Sequence, residues 1–470
     1  MPCRATPRRN GCWGISRLCL SLALLPQLIA LPLSSVGAQS SAIAWAMSGG
    51  GPNSDIGFAI AADPSGDAVL VGRMADVTTL AGLTSDPSGD LDAAIAKFSV
   101  DGNLKWLRRP GGMERDSAQS IAIDALGNIL VTGFFRGTGK FGEQDSNSAG
   151  HRDVFIAKYD PVGTLLWVRR AGGPLIDEGR GISTDPDGNV LVTGGFEGQV
   201  SFADDISITA MGDGDAFIAK YDPNGALLWV RQAGGQEHAW GNAIASDSAG
   251  NILVSGAFSE TATFDGTILT NSNDLGAFVA KYSPAGKLLW ARAGDGSGRI
   301  IAYAVSVDMK DNVLIAGIFT RAVQFTETRL ESTGARDAFL VKYQADGTLA
   351  WAEAIGGPGN DAIRALASDG RGNIFITGSF QGDLTIGAEN LTSAGDRDVF
   401  IAELETDGKP VWARSIGGIE TDIGYGIATD GHGGAYVTGS FASTATFNGI
   451  ALSSAGSDDL FILKLNYKTP

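Results

Sequence analysis

The sequence predicts an all-β fold, a seven-bladed β-propeller with four antiparallel strands per blade, and three observations predict it. First, Trp45, Trp106, Trp167, Trp229, Trp290, Trp351 and Trp412 stand 61, 61, 62, 61, 61 and 61 residues apart. Second, an Asp follows each Trp by 18 residues (Asp63, Asp124, Asp185, Asp247, Asp308, Asp369, Asp430) and a Gly by 27 (Gly72, Gly133, Gly194, Gly256, Gly317, Gly378, Gly439). Third, the last repeat stops after its third strand, Leu460 to Leu465, while an orphan strand, Ile43 to Met47, precedes the first repeat. If that N-terminal strand closes the last blade, no sheet is left short and no edge exposed.

The third unit shows the elements in order. Gly181 to Thr184 reads as a first strand, and Asp185-Pro186-Asp187-Gly188-Asn189 as a hairpin turn. Val190 to Thr193 is the second strand, and a connection through Phe196 and Phe202 leads to the third, Asp215 to Tyr221. Asp222-Pro223-Asn224-Gly225 turns the chain into the fourth, Leu227 to Val230. Pro presets φ and Gly accepts positive φ at the turns, while β-branched and aromatic residues fill the runs between. These runs are nearly continuous in apolar residues, which predicts burial on both faces. Immunoglobulin-like sandwiches need roughly 100 residues per unit, and β-helix coils or leucine-rich repeats only about 20 to 30. The period here suits a four-stranded blade.

Residues 1–38 differ from the rest. Arg4, Arg8, Arg9 and Arg17 precede or flank an apolar run from Leu18 to Leu33, and Val36-Gly37-Ala38 offers small residues for cleavage. A signal peptide cleaved near Ala38 is expected, followed by one propeller domain over 39–470. The run is short for a membrane span, and no later stretch is long and apolar enough to be one. Cys3, Cys12 and Cys19 all lie in this leader, so the mature chain has no thiol, disulfide or Cys metal site. Losing four arginines and no acids takes the net charge from −17 to −21. Such acidity opposes nucleic acid and anionic lipid as partners. A soluble secreted, periplasmic or cell-surface monomer is expected.

The Asp column of the first hairpin reads as turn chemistry, a short carboxylate accepting backbone N–H bonds. Asp92, Asp153, Asp215, Asp337, Asp398 and Asp459, two residues before the Phe of the third strand, read the same way, because catalysis does not need one acid six times. The repeated Trp reads as core. His151, His238 and His432 fall at unrelated repeat positions, so no metal site is expected, and no cofactor motif occurs. The nucleophile elbow, zinc-protease and phosphate-loop signatures are missing, so no catalytic residue is assigned.

Taken together, Gly181-Ile182, Asp185, Gly188-Asn189, Thr193-Gly194, Asp215-Ala216-Phe217, Lys220-Tyr221 and Trp229 resemble the repeat of the bacterial SBBP β-propeller family over the whole mature chain. The resemblance implies the fold and export but no activity. Asp311 in place of the turn Gly and Glu403 in place of the Lys depart from it.

One column varies while its neighbours hold. Thirteen residues after each Trp stand Phe58, Gln119, Arg180, Asn242, Tyr303, Arg364 and Tyr425, each followed by a small and then an aliphatic residue. If the first strand of each blade is innermost, this column rings a channel mouth. Aromatic faces there suit sugar rings and arginines suit acids, so a carbohydrate, peptide or protein ligand is expected. A carbohydrate-active hydrolase or lyase, or a purely structural envelope module, are the alternatives. A converging carboxylate pair beside Arg180 or Arg364 would favour the enzyme.

Overall fold

The structure, a computed structural model, describes residues 41–85, 89–272, 274–447 and 449–467. The leader and its cleavage site lie outside the described residues, all of which belong to one compact unit spanning Gln39–Pro470.

Among the described residues the regular elements are all strands. In the third unit Asp177–Thr184 pairs with Val190–Phe196, which pairs with Asp215–Tyr221, which pairs with Leu227–Gly234, all antiparallel. The same meander recurs from first strands Ile56–Ala62, Ser117–Ile123, Ala239–Ser246, Ile300–Val307 and Ala362–Ser368. A further one starts at Ile423–Thr429 and takes its fourth strand from the other end of the chain. There Ala42–Gly50 pairs with Ile450–Asn466, from Ala42 opposite Asn466 to Gly49 opposite Leu460. Successive first strands pack beside one another, and Ile423–Thr429 packs beside Ile56–Ala62. This packing accounts for the small residue after each variable position. A Cβ added at Gly181 would stand 3.0 Å from the Ala243 Cα, and one at Gly426 3.0 Å from the Ala59 Cα.

Three expectations need correction. The connection through Phe196 and Phe202 contains an extra hairpin, Gln199–Ala203 with Ile206–Thr209. Its counterpart Thr261–Phe264 in the next unit adds to the preceding fourth strand, with Ala233 opposite Phe264. Only the second and third strands are buried on both faces; the fourth leaves Leu166, Leu228 and Leu289 about half exposed. The repeated Trp is a staple between units more than a core residue. Trp167, Trp290 and Trp412 are buried, but Trp45, Trp106, Trp229 and Trp351 are only partly so. Trp229 donates its indole N–H to the Pro284 carbonyl of the next unit at 3.1 Å, and Trp45, Trp106, Trp167 and Trp290 make the equivalent bond.

The Asp column does cap its turn, and it does more. Asp185 Oδ1 accepts the N–H groups of Asp187 and Asn189 at 3.0 and 2.9 Å, while Oδ2 lies 2.8 Å from the buried Lys220 ammonium. The same pair forms as Asp63–Lys97, Asp124–Lys158, Asp247–Lys281, Asp308–Lys342 and Asp430–Lys464. Lys220 also donates to Pro284 O, so one cation joins a turn of its own unit to the next unit. Burial would raise these carboxyls, but the lysine and turn N–H groups outweigh it and hold all six below the ordinary range. In the sixth unit Glu403 replaces the Lys and accepts the Trp412 indole N–H instead. Asp311 replaces the turn Gly at φ 61°, which Asp tolerates, and accepts bonds from the backbone and hydroxyl of Ser248 in the unit before.

The invariant glycine has the most direct physical cause. A Cβ on any of the seven would stand 1.8–2.0 Å from a first-strand carbonyl oxygen, for Gly194 that of Glu178. Gly194→Ala must therefore push two strands apart, and a loss of about 1–3 kcal/mol is expected. Gly195→Ala, whose added Cβ would meet only the Trp240 Cβ at 3.3 Å, should lower stability by less than about 1 kcal/mol. Denaturant unfolding of the two variants checks the contrast, and equal losses would refute the packing account.

Candidate functional site

The first strand is not regular. In every unit its register against the second strand slips by one residue, between Gly57 and Ala59, Ala118 and Ser120, Gly179 and Gly181, Gly241 and Ala243, Ala302 and Ala304, Ile363 and Ala365, and Gly424 and Gly426. The residues passed over are Phe58, Gln119, Arg180, Asn242, Tyr303, Arg364 and Tyr425, the whole variable column. A bulge frees one residue from the ladder and re-aims its side chain. The invariant glycine lies opposite each bulge, so the residue type that permits the bulge also marks where the freed side chain stands.

All seven are half-buried and line one cavity of about 630 Å³. Side chains outside the column join them, and the repeat pattern had not singled these out: Arg73, Arg115, Phe134, Arg152 and Glu178. Arg115 and Arg152 directly precede strand-leading aspartates, and that position relative to Asp116 and Asp153 was the available signal.

The aromatic rings hold neighbouring arginines. The Arg364 guanidinium lies 4.5 Å from the centre of the Tyr303 ring and 6.0 Å from that of Tyr425. Arg73 lies 5.5 Å from Phe58, whose ring meets Tyr425 edge-on at 5.7 Å. Each of these rings thus has a guanidinium against it, a favourable contact that also steadies the cation. Arg180 lies 5.5 Å from the Trp240 ring, which gives the irregular residue of the fourth unit a structural part. The amides are partly engaged, Gln119 donating to Ser117 Oγ and Asn242 to Ala302 O.

Among the described residues lining the cavity Glu178 is the one carboxylate, and it is ion-paired with both Arg152 and Arg180. Arg73, Arg115 and Arg364 form no ion pair among the described residues. The Nε atoms of Arg73 and Arg364 are buried without a hydrogen-bond acceptor.

A second carboxylate column stands just outside. Asp55, Asp116, Asp177, Asp361 and Asp422 are almost fully buried at the first-strand entrance. Each accepts two backbone N–H groups; Asp177 takes those of Gly173 at 2.7 Å and Glu197 at 3.4 Å. Burial raises Asp55, Asp116, Asp177 and Asp422 to about 7 and Asp361 to about 6, against the pull of those N–H groups. The charge of a neighbouring third-strand aspartate adds to the rise, Asp153 beside Asp177 and Asp459 beside Asp55. Converging acid pairs therefore exist near Arg180. They recur in five units, are held by backbone, and do not line the cavity. Among the described residues no cluster of three His, Asp or Glu is placed to hold a metal ion.

An all-strand chain of repeated four-stranded meanders, with variable residues on bulges around a shared cavity, defines a β-propeller repeat protein. Two stretches of the chain, residues 166–194 and 411–440, match the SBBP beta-propeller repeat. The chain is 24% identical over 449 residues to an uncharacterized WD repeat-containing protein of Acanthamoeba polyphaga mimivirus, covering 74% of this chain and 32% of that one. It is 25% identical over 350 residues to the regulatory protein FlaEY of Caulobacter vibrioides, covering 71% and 31%. The chain thus spans about a third of the length of these curated relatives. Among solved structures, the WD40 domain of Neurospora crassa Pan2 aligns over 89% of this chain and 90% of its own at 9% identity, with a TM-score of 0.46.

The buried carboxylates make stability depend on pH with a definite sign. Between about pH 4 and 7 the folded chain keeps protons on the raised aspartates that the unfolded chain has released, so stability falls as pH rises through that window. The lysine-paired aspartates act oppositely, and their contribution is lost as pH falls below about 4. Melting temperature should therefore peak in mild acid, at about pH 4–5, and decline towards pH 8. Asp177→Asn should shallow that decline. A flat profile from pH 5 to 8 would show that these groups ionise normally.

Proposed function

We propose that this chain is an exported, non-catalytic, seven-bladed propeller that binds a carbohydrate, a peptide or a partner protein in its cavity. The observation that carries the reading is the bulge. Seven side chains released from the backbone ladder face one concavity, while the positions around them are held to glycine, small or aliphatic residues. Concave sites with a few convergent polar groups are where ligands bind. A single carboxylate neutralised by two arginines offers neither a general acid nor a free base, which supports binding over hydrolysis or elimination. A purely structural role would leave unpaired arginines in the cavity without a purpose.

Seven blades are supported by the recurrence of the meander, by the pairing of Ala42–Gly50 with Ile450–Asn466, and by the packing of the first strand on the last unit's first strand. Export rests on the basic and apolar composition of residues 1–38. The periplasm or cell surface then suits an acidic, cysteine-free domain.

A glycan and peptide array is the direct test of binding, run with the purified chain and with a Tyr303→Ala, Arg364→Ala double variant. A hit is expected, and the variant should lose it; a hit that survives the substitutions would move the site to another surface. Ring closure has its own test. Deleting residues 41–50 should lower the melting temperature by several degrees, and an unchanged melt would leave the N-terminal strand without a closing role.

A further inference from the structure

The cavity has the wrong charge for its protein. The chain carries a net charge of −17, yet five arginines and one glutamate line this concavity. Glu178 is already committed to Arg152 and Arg180. That leaves Arg73, Arg115 and Arg364, and of these Arg73 and Arg364 have a buried Nε with no acceptor among the described residues. A buried guanidinium N–H that finds no acceptor is costly to keep. Here the surroundings hold the group in place without an ion pair. Tyr303 and Tyr425 plate the Arg364 guanidinium, and Phe58 plates that of Arg73, which occupies the cation faces and leaves their N–H edges as forks. Like charges act at both positions: Arg115 acts on Arg73, where Asp458 and Asp55 oppose it without forming an ion pair, and Arg364 acts on Arg336. The edge of a fixed guanidinium matches a carboxylate, phosphate or sulfate in a bidentate way.

We infer that the cavity takes a small polyanion, one anionic group at Arg73 and another at Arg364. The inference deepens the binding reading above and rests on it. Two groups are required because the Phe58–Tyr425 pair stands between the two arginines. A volume of about 630 Å³ suits a ligand of a few sugar rings or an organic polyacid. Recognition is then electrostatic at two fixed forks, with the amides of Gln119 and Asn242 left to orient neutral parts of the ligand.

Isothermal titration of the full chain with pyrophosphate and with tricarballylate tests this, against sodium chloride at matched ionic strength and against maltotriose. One-site saturable binding of at least one polyanion is expected, and the two probes distinguish phosphate from carboxylate. Arg73→Gln and Arg364→Gln should each weaken it by about tenfold or more, as for loss of a charge-assisted bond, and Arg329→Gln, an exposed arginine, should not. Without anion, Arg364→Gln should melt at or above the parent chain, because it removes an unpaired cation. A melt several degrees lower would make that arginine structural and overturn the inference. So would the absence of polyanion binding, or binding that both variants keep. Maltotriose bound through Tyr303 with neither polyanion bound would overturn the charge inference and leave the binding module standing. Failure of every probe together with an empty array would remove both.

Discussion

In every unit a first-strand carbonyl oxygen sits where the Cβ of any residue but glycine would have to be, and much of the molecule is organised around that contact. The close approach lets the first strand take in one residue more than its partner. That extra residue cannot join the ladder, so its side chain is available for something other than the sheet. The following residue must then be small, because the neighbouring first strand passes at van der Waals distance. One backbone constraint thus produces an invariant glycine, an invariant small residue and a free position between them.

Units are joined by polar groups as much as by apolar ones. The buried Asp–Lys pair is a weak source of net stability, since the desolvation of two charges offsets much of their attraction. Its value lies in geometry. The carboxylate shapes its own turn, while the ammonium reaches a carbonyl of the next unit beside the indole N–H of the Trp. Removing one partner strands a buried charge, which then needs other partners. In the sixth unit Asp369 keeps its turn N–H groups, Glu403 stands in place of the lysine, and burial raises the Glu403 carboxyl while the Trp412 indole bonds to it. The apolar side chains between the sheets supply the bulk of the stabilisation, as in any β core.

Electrostatics separates the cavity from the rest. The chain as a whole is acidic, whereas arginines gather where the bulges point. Aromatic rings in the same column support those arginines. Phe58, Tyr303 and Tyr425 line the cavity beside the guanidinium groups they hold. The five raised aspartates behind the cavity hold backbone, and their repetition marks them as architecture.

Most of the fold was legible in the residues themselves, because period and turn chemistry are local. The Trp spacing, the hairpin aspartates and the apolar runs determined an all-strand repeat protein and even the bounds of the third strand, Asp215–Tyr221. The varying column was legible as well, since variation among fixed neighbours is visible along the chain. The extra hairpin was not, because Gln199–Ala203 is short and half exposed and its pairing partner in other units is a neighbouring strand. Nor could the sequence tell that the tryptophans lie between units, or that Lys220 pairs with Asp185 thirty-five residues away. What only the tertiary structure decided is the bulge and the company it brings: Arg73 against Phe58, Arg364 against Tyr303, Glu178 between two arginines. Arg364 meets Tyr303 and Glu178 meets Arg152 across units, while Arg73 meets Phe58 across a bulge within one, so their chemistry depends on how close the strands come, a distance that composition and spacing do not contain.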